Sequence, residues 1–263
     1  MERLCGTPFS RPQPHCRTLD PSARRKQERL VSSFADFIAQ GWRADSEAPS
    51  PGRSVRADSP MDDKTAMLSK CPGKVGASII SRLEKLAAEL PEWCLRERAK
   101  QRLDQVRDIS DYPVTLNHGD LIPSNILIDE GSWEITGVVD WAEAEYLPFG
   151  MCLYGLEHLL GYLAPVSQPY MLDAGDPSTS SNTPEFVYYD NAPQLRDLFW
   201  ARLIDVVPIL RGMREEVQVF RDVGVFLWYG IAWDDGAINR VVNEVDDMET
   251  LACLRAFLAA PSS

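Results

Sequence analysis

Apolar and polar residues alternate with a helical period over most of this 263-residue chain. In the first such stretch, residues 21–42, apolar side chains recur every three or four positions, as one face of a helix requires. Pro21 suits a first helical turn and Asp20 suits a helix N-cap, so we predict a helix here. Similar patterns predict further helices over residues 75–90, 92–108, 151–163, 193–211, 214–233 and 246–259.

The period of the pattern changes in the middle of the chain, where short apolar runs are separated by turn residues. VTL at 114–116, NILID at 125–129 and EITGVVD at 134–140 predict three short strands. A tight turn joins the last two, which predicts a β-hairpin. We therefore predict an α+β fold in which a mostly helical body holds one small β-hairpin.

Two segments lack any periodic pattern. Residues 1–20 are rich in Pro, Arg and polar residues, and we predict that they have no fixed structure. Residues 44–63 contain three Pro, four Ser and few apolar residues, which predicts a flexible loop. The folded domain is accordingly expected to span residues 21–260.

Composition narrows the classes of function. The net charge of −12 disfavours nucleic acid and anionic membrane surfaces as partners, because both are negatively charged. The six cysteines form no C-x-x-C pair and there are only three histidines, which argues against a disulfide framework and a zinc site. No stretch reaches the roughly eighteen apolar residues of a membrane span, and no secretory signal is present, so we expect a cytoplasmic protein.

One polar motif indicates chemistry. Residues 116–125 read LNHGDLIPSN, and within them Asn125 follows Asp120 by five positions. Asp140 ends the apolar run GVVD, which places its carboxylate at the tip of the third predicted strand. Asn125 and Asp140 offer the hard oxygen ligands that Mg²⁺ prefers. Asp120 has no Arg or Lys close by in the sequence, so its carboxylate is available to accept a proton from an attacking hydroxyl.

The two segments NHGDLIPSNILID and ITGVVDWAEAEYLPFG resemble the aminoglycoside phosphotransferase and choline kinase family, specifically its fungal members of unassigned substrate. This resemblance implies the C-terminal lobe of a protein-kinase-like fold. It also implies an enzyme that moves the γ-phosphate of ATP or GTP to a small-molecule hydroxyl. By the same resemblance Asp120 would be the catalytic base, Asn125 and Asp140 would bind Mg²⁺ and the nucleotide, and His118 and Trp141 would be structural supports.

The parts that such an enzyme carries in its first lobe are not found in the sequence. The family's N-terminal β-lobe supplies a phosphate-covering loop and a strand lysine, but none of the six lysines lies in an apolar β-run. PGKVG around Lys74 is too short for a phosphate-binding loop. We therefore expect the N-terminal β-lobe to be missing, so that the chain is truncated or is a non-catalytic binding module. The uncovered lobe interface would then favour self-association.

Several alternatives stay open at the level of sequence. Relatives usually carry an acid shortly after the proline of the second motif, where it holds the catalytic loop, but Met151 stands there in this chain. The loop is therefore expected to be held less rigidly. Glu143 and Glu145 would either touch metal or substrate or belong to a solvated loop. Acidic residues of the later helices, among them Glu157, would form either a pocket for a cationic acceptor or a solvated surface.

Two other phosphate-handling classes fit the sequence poorly. Metallophosphatases need several further His and Asp ligands, and the two other histidines of this chain have no suitable context. Haloacid-dehalogenase phosphatases need a D-x-D after a strand, which VVDWAE does not contain.

Overall fold

The computed structural model describes residues 5–47, 67–164, 183–232, 234, 237 and 239–260. These residues form an α+β fold, as predicted. The α-helices of the described residues are α1 Pro21–Glu47, α2 Ile79–Glu89, α3 Trp93–Asp108, α4 Tyr154–Leu159, α5 Ala192–Val206, α6 Arg214–Tyr229 and α7 Met248–Ala259. The strands are β1 Thr7–Pro8, β2 Val114–Asn117, β3 Ile126–Ile128, β4 Ile135–Val138, β5 Glu145–Pro148, β6 Gly161–Ala164 and β7 Glu185–Tyr188.

A helix lies in each predicted segment, but α5 and α6 end at Val206 and Tyr229, before their predicted ends at residues 211 and 233. α1 shows why the local pattern was sufficient there. It begins at Pro21, and the carboxylate of Asp20 accepts hydrogen bonds from the backbone N–H groups of Ser22 and Ala23 at 2.7 and 3.0 Å. These bonds satisfy two donors that have no partner inside the helix. The helix extends beyond its predicted end, to Glu47.

Two side chains of the predicted helices have the opposite exposure to the one that their polarity predicts. Gln27 of α1 is polar but is fully buried, where its side-chain amide donates to the carbonyl of Leu159 and accepts from Asn191. Trp93 of α3 is large and apolar, yet 69% of its surface is exposed. The apolar face of α3 is formed instead by Leu95, Ala99, Leu103 and Val106.

The helix predicted over residues 151–163 is too long. α4 ends at Leu159, and the chain then enters β6, which pairs antiparallel with β7. A Cβ atom on Gly161 would lie 2.4 Å from the carbonyl oxygen of Val187, so the glycine permits this close pairing. The pairing partner lies far along the chain, which explains why the local pattern did not show the strand.

The predicted hairpin is confirmed, and the structure adds two pairings to it. β3 and β4 form the antiparallel hairpin, with Ile126 opposite Val138. β2, which leads into the LNHGDLIPSN motif, pairs antiparallel with β5, so that Asn117 lies opposite Glu145. β5 was not predicted, because it is four residues long and its apolar side chains show no alternation.

The prediction that residues 1–20 lack fixed structure is wrong for residues 5–20. β1 adds a third strand to the hairpin, with Thr7 opposite Ile128. Phe9 is fully buried and packs edge-on against Trp133, with ring centroids 5.6 Å apart. The side-chain amide of Gln13 donates to two carbonyls near the end of α4. These partners lie more than a hundred residues away, so composition alone could not indicate order.

The predicted loop over residues 44–63 is only partly described. Residues 44–47 complete α1, and residues 48–63 lie outside the described residues. The absence of an N-terminal β-lobe stays a prediction. Among the described residues, no helix is both long enough and apolar enough to cross a membrane.

One apolar core joins the helices to the small sheets. α1 packs on α5, where Phe34 and Phe199 lie with ring centroids 5.9 Å apart and are both fully buried. Burial of each such side chain contributes about 1.5–3 kcal/mol. α1 also packs on β2, where the backbone of Gly41 approaches the carbonyl of Leu116. The core therefore places β2 and the loop that follows it against a long, well-buried helix.

Candidate active site

Near the start of the LNHGDLIPSN loop, both polar atoms of the Asn117 side chain form hydrogen bonds. The amide nitrogen of Asn117 donates to the carbonyls of Thr115 and Leu147 at 2.9 and 3.1 Å. Its amide oxygen accepts the backbone N–H of Cys152 at 3.1 Å. Asn117 thus fastens the end of β2 both to β5 and to the segment that precedes α4.

Gly119 allows the loop to touch the turn that follows Asp140. Its φ of +82° lies in the left-handed region, and a Cβ atom there would lie 2.1 Å from the carbonyl oxygen of Glu143. A larger residue would be strained and would collide with backbone. The glycine therefore brings the segments that carry Asp120 and Asp140 together.

His118 braces the loop against the end of β4. The ring is 2% exposed, and its Nε2 donates to the carbonyl of Val139 at 2.8 Å. Because Nε2 carries the proton, Nδ1 is free to accept the backbone N–H of Asp120, 3.3 Å away. Burial lowers the pKa of His118, which keeps the ring neutral. These are the contacts expected of a structural support.

Asp120 and Asn125 are in direct contact. The amide nitrogen of Asn125 donates to both the carbonyl oxygen and Oδ2 of Asp120, each at 2.9 Å. The other carboxylate oxygen of Asp120, Oδ1, is buried and has no hydrogen-bond partner among the described residues. Burial raises the pKa of Asp120, and the bond from Asn125 opposes that rise. Burying a carboxylate oxygen without a hydrogen-bond partner costs free energy. Such an unpaired atom is typical of a position that a ligand or a reacting group occupies.

Asp140 lies at the mouth of the same site. It is exposed and adopts a left-handed conformation, with φ 63° and ψ 66°, between β4 and the short 3₁₀ helix Trp141–Glu143. Its negative charge adds to the rise in the pKa of Asp120, so the two carboxylates are close enough to repel each other. A non-glycine residue in this conformation stores strain, and such strain is frequent at functional sites.

Trp141 contacts the loop from the other side. Its indole N–H donates to the carbonyl of Val138 at 2.9 Å. The ring lies edge-on against His118, with centroids 4.6 Å apart, while 43% of the residue is exposed. Trp141 thus packs against His118 and also presents an apolar surface beside the site.

Further apolar surface is exposed next to the loop. Leu116 and Tyr146 lie opposite each other in the β2–β5 pair and are 42% and 54% exposed. Together with Trp141 they lie beside the segments that carry Asp120 and Asp140. The expected self-association stays a prediction, which light scattering can test.

The oxygen donors present fit a magnesium ion. Because Asn125 uses its amide nitrogen on Asp120, its amide oxygen is the atom left for a cation, and Asp140 adds an exposed carboxylate. Among the described residues, no group of three or more His, Cys, Asp or Glu could hold a metal by itself. Such an incomplete set suits Mg²⁺, which keeps several ligands from water and phosphate.

Glu145 has a structural contact that the sequence did not indicate. Its carboxylate accepts the backbone N–H groups of Val75 and Gly76 at 3.0 and 3.2 Å. The PGKVG segment around Lys74 therefore surrounds a carboxylate of the same chain. The contact joins residues about seventy positions apart, so no local signal could have revealed it. Glu143 supplies the backbone carbonyl that Gly119 approaches.

Tyr154 contacts the loop, and sequence reasoning missed it. Its hydroxyl donates to the carbonyl of Gly119 at 2.9 Å and accepts the backbone N–H of Leu121 at 3.1 Å. Met151, which stands where relatives carry an acid, is buried and apolar. The loop therefore has a firm contact from this segment, contrary to the expectation that it is held less rigidly.

Three acids of this later region, Glu157, Asp190 and Asp234, have arginine partners among the described residues. Glu157 is buried between two arginines, and Asp190 and Asp234 pair with Arg17 and Arg240 respectively. Because these charges are neutralised, they lend no support to a cationic acceptor.

Comparison with known families assigns this chain to one of them. The chain matches the model of the phosphotransferase enzyme family over residues 1–151, which is more than half of its length. The chain belongs to this family. The match contains Asp120, Asn125 and Asp140, and it also includes the segment before α1.

A solved structure similar to this chain is a choline kinase from Cryptosporidium parvum Iowa II. The two share 14% sequence identity with a TM-score of 0.46, and the alignment covers 98% of this chain and 68% of the other. No match was found among curated proteins. The assignment to the family therefore rests on the match over residues 1–151.

Proposed function

We propose that this protein is a Mg²⁺-dependent phosphotransferase that moves the γ-phosphate of ATP or GTP to a hydroxyl group of a small molecule. One observation carries the proposal: Oδ1 of Asp120 is buried without a partner among the residues that the structure describes, while Oδ2 is held by Asn125. This geometry orients a carboxylate and leaves one oxygen for a proton. Membership of the phosphotransferase enzyme family supports the same reaction class.

The residues divide the reaction between them. The acceptor oxygen attacks the γ-phosphorus, the bond to the bridging β–γ oxygen breaks, the nucleoside diphosphate leaves, and Asp120 takes the hydroxyl proton. Asn125 orients Asp120 through its amide nitrogen. The amide oxygen of Asn125 and the carboxylate of Asp140 would hold Mg²⁺, which neutralises charge on the phosphate oxygens. His118, neutral and buried, keeps the backbone of Asp120 in place.

The test of the catalytic step is Asp120→Asn, assayed by nucleotide turnover with Mg²⁺ across a panel of hydroxylated acceptors. We expect a loss of about 10²–10⁴-fold, because the substituted amide cannot accept the proton. Asp129→Asn is the matched control, since Asp129 is exposed in the hairpin turn and bonds only locally to Ser132. If the parent protein turns over no nucleotide with any acceptor, the proposal fails and a non-catalytic binding module becomes the better interpretation.

The test of the metal site is Asp140→Ala, with the affinity for Mg²⁺–ATP measured by calorimetry. We expect at least a tenfold loss, about 1.4 kcal/mol, if Asp140 holds the ion. Glu143→Ala is the comparison, because Glu143 is an exposed acid of the same turn. Equal losses in the two variants would show that the turn contributes only general negative charge.

A further inference from the structure

Tyr154 forms hydrogen bonds with the peptide backbone on both sides of Asp120. The residue is 3% exposed, and its hydroxyl bonds to the residue on each side of the aspartate, to the carbonyl of Gly119 and to the N–H of Leu121. A hydroxyl is suited to this position because it can donate and accept at once, whereas a carboxylate could only accept.

The hydroxyl is held in this position by its surroundings. The ring of Tyr154 stacks on Trp228, with centroids 5.3 Å apart and planes at 12°, and lies edge-on to Tyr229 at 6.1 Å. Burial raises the pKa of Tyr154 well above its usual range, so the hydroxyl keeps its proton. The donor to the carbonyl of Gly119 is therefore always present.

The next residue adds a steric contact to the same loop. A Cβ atom on Gly155 would lie 2.9 Å from Cγ and 3.0 Å from the carbonyl oxygen of Leu121. Leu121 is fully buried, so the loop rests directly on the backbone of α4. With the bond from the N–H of Cys152 to Asn117, the segment before and within α4 supports the loop at three successive points.

We propose that Tyr154 is the positioning residue for Asp120: it fixes the backbone on both sides of the aspartate and so aims the carboxylate. This inference deepens the proposed function and rests on it for the role of Asp120. Tyr154 is buried and its hydroxyl is bonded to the loop backbone, so its role is to act through Asp120 and not on the substrate itself.

The experiment compares Tyr154→Phe with the parent chain by amide hydrogen exchange, followed at Leu121 by NMR. The variant keeps the stacked ring but leaves a carbonyl and an N–H without partners, so we expect exchange at Leu121 to speed up about tenfold. Tyr189→Phe is the matched control. Tyr189 is equally buried, but its hydroxyl donates to the carbonyl of Pro14, which lies outside the loop. That control should leave exchange at Leu121 unchanged.

Kinetics supply the second measurement. In Tyr154→Phe we expect kcat to fall about tenfold or more while KM for the nucleotide stays near the parent value, because the loop that aims the base moves and the metal ligands remain. A parental kcat, or unchanged exchange at Leu121, would overturn the positioning role. If the parent shows no transfer with any acceptor, the proposed function fails and faster exchange still supports the fastening of the loop by Tyr154.

A second variant keeps the inference testable if Tyr154→Phe does not fold. Gly155→Ala leaves the hydroxyl intact but pushes a methyl group against Leu121. We expect the same pair of changes, faster exchange at Leu121 and a lower kcat. Parental values for both in this variant would count against a loop that is aimed by its contacts with α4.

Discussion

Two carboxylates of this protein, Asp120 and Glu157, lie in opposite surroundings. Glu157 is 3% exposed, and its oxygens accept hydrogen bonds from Arg196 at 2.6 Å, Arg221 at 2.7 Å and Tyr188 at 2.8 Å. Asp120 has one oxygen bonded to a neutral amide, and the other has no partner in the described part of the chain. Both oxygens of Glu157 therefore have hydrogen-bond partners, whereas Oδ1 of Asp120 is left to accept a proton.

The pKa values of the two acids are shifted in opposite directions. Burial by itself raises the pKa of both groups. At Glu157 the positive charges of Arg221 and Arg196 outweigh burial and hold the pKa below its usual range, whereas at Asp120 burial prevails and the pKa is raised. An ionised acid with paired charges stabilises a fold, and an acid with a raised pKa is better suited to accept a proton.

The Glu157 cluster also links helices that the rest of the core only packs together. Arg221 bridges Glu157 to Asp222, which in turn accepts bonds from Arg98 and Arg102 of α3. The cluster thereby joins α3, α4, α5 and α6. Its partners leave no oxygen of Glu157 for a substrate, so we assign it to stability.

The largest expected effect on stability is that of Glu157→Gln. Removing this charge leaves the buried Arg196 without an acidic partner among the described residues and Arg221 with Asp222 alone. Breaking a buried pair of this kind costs about 3–5 kcal/mol. Urea denaturation followed by circular dichroism measures the free energy of unfolding. Glu143→Gln serves as the exposed control and should stay close to the parent. A variant of Glu157 that unfolds at the parental urea concentration would show that the cluster is dispensable.

Lowering the pH should reduce the difference in the free energy of unfolding between the parent and Glu157→Gln. Because the folded-state pKa of Glu157 is lowered from 4.5, its stabilising contribution is complete above about pH 4.5 and is lost as the pH falls through the folded pKa. The free energies of unfolding of the parent and Glu157→Gln should therefore converge at low pH. Denaturation curves at a series of pH values test this, and a gap that is independent of pH would mean that packing, not charge, is responsible.

A smaller effect is expected from Tyr188→Phe, which removes one neutral partner of Glu157 and leaves both arginines. The loss of this hydrogen bond to a charged group should cost about 1.5 kcal/mol. Tyr146→Phe is the control, because Tyr146 is 54% exposed. A loss as large as that of Glu157→Gln would indicate that the hydroxyl, and not the arginines, dominates the cluster.

The smallest change in stability is expected from Asp120→Asn, the variant with the largest expected loss of activity. Asp120 forms no ion pair among the described residues, so its free energy of unfolding should stay within about 1 kcal/mol of the parent. The same urea series measures it. A strong destabilisation would show that Asp120 contributes to folding as Glu157 does, and the contrast between the two acids would disappear.

The sequence by itself determined the helical segments, the β3–β4 hairpin and the order of Asp120, Asn125 and Asp140. These features depend on neighbours within a few residues, so the helical period, the N-cap at Asp20 and the motif spacing are sufficient to indicate them. The resemblance drawn from LNHGDLIPSN also led to the family that the comparison later established.

Only the tertiary structure decided how the site is held together. The order of residues 5–20, the pairing of β2 with β5, the bonds of Tyr154 to the loop and the arginines around Glu157 join segments separated by tens of residues or more. Such contacts leave no period in the sequence, and the same Tyr or Glu would suit an exposed surface equally well. Whether an acid is paired, as Glu157 is, or left with a free oxygen, as Asp120 is, depends on what the fold places beside it.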